Sequence, residues 1–225
     1  MIKLIKNVRK NKKSKNKRYS DFYETTFGNK ILKKELMILN RELSGCKTVL
    51  SVGCGPGVHE KLLKKLHSDL QIICLDPSKE MLTEGRELSI KSTVKNIFQG
   101  IAEGLPFKNN VFDCVYFITS FEFIEDSISA LKECSRVLRP YGKAIFLISN
   151  FKSWYFQKEH TEAGSYIEGK IKHLDNVKLN RSIGGIFQII SVNYELGIRG
   201  ENVFETKNPQ WASLVVITSI KQGVA

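Results

Sequence analysis

The sequence predicts an α/β fold: a doubly wound, mostly parallel sheet of seven strands that closes with an antiparallel C-terminal hairpin strand. Three observations predict it. From Lys47 to Ser149, apolar runs of strand length alternate strictly with stretches of helical spacing. The first of those runs ends in VGCGPG, a glycine turn leading into a helical pattern. Near the C-terminus, two further strand patterns flank GENVFETKNPQ, as in a hairpin.

The elements follow in order. Residues 1–18 hold nine Lys and Arg, no acid, and no sustained apolar periodicity, so a basic, disordered tail is expected there. Ile31, Leu32, Leu36, Leu39 and Leu43 then recur at helical spacing. Lys47–Val52 reads as a buried strand, and Val58, Leu62, Leu63 and Leu66 as one helix face. Gln71–Leu75 is the second strand, ending at Asp76; Pro77 follows, and a helix from Ser78 carries Met81, Leu82 and Leu88. Thr93–Gln99 is the third strand. Phe112–Ile118 is the fourth, nearly continuous in apolar residues because helices cover both sheet faces. Ile128, Leu131, Cys134 and Leu138 mark a helix closed by Pro140 and Gly142, and Lys143–Ser149 is the fifth strand. After an irregular stretch, a helix is expected over Ser182–Val192, with strands at Tyr194–Arg199 and Ala212–Ile220. There is no internal repeat. The expected organisation is a tail, 1–18, and one domain, 19–225, with its core at 46–150 and an acceptor side and hairpin at 151–225.

With 225 residues and 42% hydrophobic content, the chain can build a substantial core. No run approaches the ~20 apolar residues of a membrane span, and Met1–Ile5 is too broken by Lys3 for a secretory signal, so a cytoplasmic protein is expected. Five cysteines without a C-x-x-C pair exclude a zinc ribbon and fit reduced thiols. The net charge of +12 is uneven: outside the tail, 26 basic residues face 23 acidic ones. The basic tail suits contact with nucleic acid or an anionic membrane surface, or a simply solvated arm.

A strand, a glycine turn and a helix start together make a site for a phosphate or nucleoside. Gly-Lys-Ser/Thr is absent from the helix start, which excludes a P-loop. Gly53 and Gly55 match the first two glycines of a dinucleotide fingerprint, but Val58 occupies the third position. Asp76, at the end of the second strand, suits a ribose diol, and D-P-S also suits a helix cap. Ala102-Glu103 follows the third strand, where a loop can meet a base edge.

VLSVGCGPG, ICLDPSKEML, QGIAEGLPFKNNVFDCVYF and ALKECSRVLRPYGKAIFLIS together resemble the successive motifs of class I S-adenosylmethionine-dependent methyltransferases, in the small-molecule branch often called type 11. The resemblance covers about residues 46–150, and upstream FYETTFGNKILKKE resembles an aromatic-E-T-P-L-G segment of some members. It implies a Rossmann-like fold and S-adenosylmethionine as cofactor, with S-adenosylhomocysteine as product. It places Gly53, Gly55 and Gly57 along the methionine and ribose, with Ser51, Cys54 and Pro77 beside them. Asp76 should bind the ribose hydroxyls. Met81, Ala102 and Glu103 should meet the adenine, Thr119 the methionine, and Tyr19 and Phe22 should close over the cofactor. Two positions depart from the pattern. Ser51 stands where the family usually has an acid near the cofactor's amino end, and Phe123 where many relatives have His.

An activated methyl needs an aligned acceptor, and a base only where the acceptor carries a proton. His160, Glu122 and Tyr155 are the candidate catalytic residues; a surface histidine, a helix cap and a core tyrosine are the structural alternatives. Trp154, Tyr155 and Phe156 read equally as an acceptor wall or as core. NPQW, at 208–211, resembles an amino-methylating signature but lies far from the fourth strand, where that signature belongs. The expected activity is methyl transfer to a small molecule. The alternatives are RNA methylation docked through the tail, and a non-catalytic cofactor-binding scaffold.

Overall fold

The computed structural model describes residues 18–88, 94, 96–160 and 170–223. The tail expected at 1–18 lies outside the described residues except for Arg18, which is exposed and pairs with Glu87 at 2.9 Å. The chain opens with α1 (Asp21–Glu24) and α2 (Thr26–Glu42). It then alternates through β1 (Thr48–Val52), α3 (Val58–Leu66), β2 (Gln71–Asp76), α4 (Lys79–Glu87), β3 (Asn96–Gln99), β4 (Phe112–Ile118), α5 (Ser127–Val137) and β5 (Leu138–Ser149). The C-terminal part holds α6 (Trp154–His160), α7 (Asn176–Gly184), β6 (Gln188–Arg199), β7 (Asn202–Phe204) and β8 (Ala212–Ile220).

All eight strands form one sheet in the order β3-β2-β1-β4-β5-β8-β6-β7. The first five in that order are parallel; β8, β6 and β7 run antiparallel to their neighbours. The sheet therefore has eight strands rather than seven, the extra one being the three-residue edge strand β7. The helix expected over Ser182–Val192 is corrected: α7 ends at Gly184, and Gln188 already pairs with Ile220 in β6. Gly184-Gly185 ends the helix, and the isoleucines that follow belong to an extended strand.

Period-two alternation divides the core between the two faces of the sheet. On β4, Val115 and Phe117 pack on one side, where Phe117 stacks on Phe146 at 5.2 Å beneath Leu131 and Cys134 of α5. Cys114 and Tyr116 point to the other side, against Ile31 and Leu39 of α2 and Leu63 of α3. Helix starts are capped by their own residues. Thr25 accepts the Gly28 N–H at 3.0 Å, Ser78 accepts the Met81 N–H at 3.2 Å, and Asp126 accepts the Ile128 and Ser129 N–H groups. Among the described residues, no helix is long and apolar enough to cross a membrane.

The turn after β1 is held tightly from the neighbouring β4 connection. Ser120 donates its hydroxyl to the Val52 carbonyl at 2.7 Å, which seats its Cβ against Gly53. A Cβ on Gly53 would lie 2.4 Å from the Ser120 Cβ, and Gly53 has φ of 72°. Gly53→Ala therefore carries both left-handed strain and a clash and should cost about 2–4 kcal/mol. That is a drop of roughly 5–15 °C in the thermal midpoint. Adding Ser120→Gly should recover only the clash share. Calorimetric melting of the two variants checks this, and a G53A midpoint within a degree of the parent would refute it.

Candidate active site

Strand order reverses between β1 and its neighbours β2 and β4, so the connections after β1 and β4 leave in opposite directions. A cavity of about 520 Å³ opens there, at the C-terminal ends of the parallel strands. One side is built from the ends of β1, β2 and β3: Gly53, Gly55, Asp76, Pro77, Met81 and Ala102. The other side is apolar and comes from α6, β6 and β8: Tyr155, Phe156, Leu196, Ile198 and Leu214. Sheet order keeps these two sides apart, because β4 and β5 lie between β1 and β8.

Asp76 fixes the shape of the first side. Its Oδ2 accepts the Gly55 N–H at 2.7 Å and its Oδ1 accepts the Ser78 N–H at 2.8 Å. Burial pushes this carboxyl above its ordinary range, partly countered by the two N–H bonds. Gly55 has φ of 58°, and a Cβ built there meets nothing within 4 Å, so the bare backbone faces open space. Open glycine backbone, a buried carboxyl on the wall and the small side chain of Ala102 fit the flank of an adenosyl group. Gly57 is corrected: it does not line the cavity, and its φ of 82° serves the N-cap of α3.

The other expected residues separate into two groups. Tyr19, Pro77, Met81, Ala102, Glu103 and Thr119 all line the cavity. Tyr19 is held there through its backbone: its N–H and that of Ser20 donate to the two oxygens of Glu84 on α4, at 3.0 and 2.7 Å. Glu103 accepts the Asp126 N–H at 3.3 Å. Ser51 and Cys54 line a smaller recess of about 60 Å³ that shares Tyr19, Gly53, Gly55 and Thr119 with the main cavity. The neighbouring Cys74 thiol, and then burial, push the Cys54 thiol well up, which fits a packing residue and not a nucleophile. Phe22 is corrected: it is buried in the core, edge-on to Tyr23 at 5.1 Å, and lines neither space.

Of the catalytic candidates, only Tyr155 is seen on the cavity wall. Glu122 is corrected. It is fully buried in the single turn Phe121–Phe123, outside the lining, with its Oε1 accepting the Ser149 N–H at 3.2 Å. His160 closes α6, and its side chain lies outside the described residues. Phe156 joins the apolar wall, whereas Trp154 is half exposed and packs on Trp211 at 4.2 Å. Phe123 sits at the cavity mouth. Sequence reading missed Leu196, Ile198, Ser213 and Leu214, which only the antiparallel return of the chain brings to the wall. Leu196 does so with φ of 63°, a conformation costing about 1–2 kcal/mol in a leucine. It also missed Glu84 and Glu60, whose roles are set by distant partners.

Comparison with known proteins agrees with this geometry. Residues 50–146 match the family described as "Methyltransferase domain". The chain is 32% identical over 114 residues to the ubiquinone biosynthesis O-methyltransferase of Aliivibrio fischeri, covering 49% of this chain and 48% of that one. It is 35% identical over 119 residues to the demethylmenaquinone methyltransferase of Staphylococcus carnosus, covering 52% and 49%. The chain thus spans about half the length of these curated relatives. Among solved structures, a protein of Thermotoga maritima titled "SAM-dependent methyltransferase, possible histamine N-methyltransferase" superposes with a TM-score of 0.73. It is 22% identical, covering 91% of this chain and 94% of that one, a likeness of fold.

The buried Glu122 makes a measurable pH dependence. Burial raises its folded pKa above the ordinary 4.5, against the opposing hydrogen bonds. The folded state therefore holds the proton longer than the unfolded one. The acid's contribution is full below about pH 4.5 and is lost as pH rises through the raised value, at most ~1.4 kcal/mol per pH unit. Glu122→Gln keeps the acceptor for Ser149 and removes the titration. The melting-temperature difference, variant minus parent, should climb between pH 4.5 and 8. A flat or falling difference would contradict the assignment.

Proposed function

We propose that this chain, whose residues 50–146 match a methyltransferase domain, is a class I S-adenosylmethionine-dependent methyltransferase that transfers a methyl group to a small acceptor with an apolar body. One observation carries the reading: a single continuous cavity joins the Gly55–Asp76 wall to the apolar wall of Phe156, Leu196, Ile198 and Leu214. The quinone-pathway names of two relatives are in keeping with an apolar ring in the second half.

Bound S-adenosylmethionine supplies a methyl already activated by its sulfonium. The protein's work is then to bind, align and exclude water. Gly53, Gly55 and Asp76 hold the nucleoside side, with Met81, Ala102 and Glu103 on the base. Tyr19, pinned by Glu84, covers the junction with the smaller recess. On the acceptor side, apolar packing selects the body of the molecule. Tyr155 and Ser213 offer hydroxyls for orientation; the Ser213 Oγ is buried with no partner among the described atoms. Such a hydroxyl gains most when a ligand group pairs with it.

Titration calorimetry with S-adenosylhomocysteine tests the cofactor half of the reading. Asp76→Ala should weaken binding by about 10- to 100-fold, the worth of a charged hydrogen bond. NAD should not bind. Methyl transfer from labelled S-adenosylmethionine to a panel of phenolic and quinol acceptors tests the other half. No binding of S-adenosylmethionine or of its demethylated product by the parent protein would overturn the proposal.

A further inference from the structure

Glu60 is a buried acid that the site described so far does not use. It stands in the first turn of α3 and is 1% exposed. Its Oε1 is held twice, by the Ser51 hydroxyl at 2.7 Å and the Tyr116 hydroxyl at 3.0 Å. Its Oε2 is buried and has no partner among the described atoms. A carboxyl oxygen in that position is costly unless a donor or cation comes to it. Among the described residues no ion-pair partner reaches Glu60, and no group of residues there could hold a metal ion. The nearby imidazole of His59 is already engaged, with its Nε2 2.9 Å from Glu35 Oε2. Burial opposes charge on His59, but Glu35 outweighs it and holds the imidazole pKa above its ordinary value.

Glu60 lines the recess of about 60 Å³ that adjoins the glycine turn and shares four lining residues with the main cavity. The recess is far smaller than the main cavity of about 520 Å³ and suits a small polar head. Gly53, Gly55, Tyr19 and Thr119 line both the recess and the main cavity, so the two lie side by side at the glycine turn. A ligand lying on the glycine turn can therefore send one short branch into it. We propose that Glu60 is the ammonium-binding residue of this protein: its free oxygen accepts from the amino group of the cofactor's amino-acid end, while Ser51 and Tyr116 hold the carboxyl in place. The inference rests on the function proposed above. It assigns the carboxyl to the first turn of α3, with Ser51 of β1 as its support.

Two ligands that differ only in this branch test it. S-adenosylhomocysteine carries the amino acid, and 5′-methylthioadenosine ends in a methyl group. By titration calorimetry on the full chain, Glu60→Gln should weaken S-adenosylhomocysteine about 10- to 100-fold, and leave 5′-methylthioadenosine within about twofold. Ser51→Asp added to E60Q sets a carboxyl within reach of the same recess and should restore part of the loss. Tyr116→Phe, which only loosens the support, should weaken S-adenosylhomocysteine several-fold and spare the shorter ligand. Should E60Q fail to melt cooperatively, Y116F carries the test alone. Equal losses for the two ligands, or no loss for S-adenosylhomocysteine in the folded variants, overturn the role of Glu60. A parent protein that binds neither ligand overturns the cofactor reading itself, and Glu60's role with it.

Discussion

The carboxyl group of Asp76 is the constraint on which the site depends. It ends β2 and reaches across to the turn after β1, tying two parallel neighbours at the edge where their ladder stops. Gly55 takes its left-handed conformation without steric penalty, and the Asp76 bond selects that state by holding its N–H. The same carboxyl orders Ser78, which then caps α4, and α4 presents Glu84 to hold Tyr19. A chain of short bonds thus runs from one buried acid to both walls of the nucleoside side. Each oxygen spends one lone pair on a backbone N–H and keeps another available toward the cavity it lines.

Behind the glycine turn lies a second polar group, set into an otherwise apolar face. Glu35, His59, Glu60, Ser51 and Tyr116 meet between α2, α3 and β1. Burying two acids and a histidine beside Leu63 and Val49 is expensive, and three hydrogen bonds offset only part of it. Burial also pushes the Tyr116 phenol well above its ordinary range, so it keeps the proton that it donates to Glu60. A purely structural core would favour apolar residues of similar volume at these positions. Three of them, Ser51, His59 and Glu60, line the small recess beside the glycine turn.

How far the sequence revealed this depends on how local each feature is. The glycine turn, Asp76 and Ala102-Glu103 sit at strand ends, where the register of neighbouring parallel strands leaves little freedom, and all were legible. Gly57 and Phe22 belong to the same segments but turn a different way. One residue shifts a glycine from the loop to a helix cap, and one turn of α1 points Phe22 inward. Glu122 looked like a candidate base because it follows β4, yet the turn at Phe121–Phe123 folds it beneath Ser149. The misread helix at Ser182–Val192 has a similar cause. Ile183, Ile186, Ile189 and Ile190 fit helical spacing, but long-range pairing with β8 takes the later ones as strand.

Of the apolar wall only Tyr155 and Phe156 were legible, and the part that strands β6 and β8 supply was not. Leu196, Ile198 and Leu214 come from strands that follow the family-matched segment, and they reach the cavity only because β8 inserts between β5 and β6. Leu196 keeps its left-handed backbone within the β6–β8 ladder, which holds register from Glu195 to Gly197 across it. The nucleoside side is thus written in motifs within residues 50–146, while the acceptor side is assembled outside them. Changes in the C-terminal strands and in α6 can reshape the acceptor wall without touching the Asp76 tie. The apolar wall is therefore built by the C-terminal third of the chain, outside the segment that the methyltransferase-domain family matches.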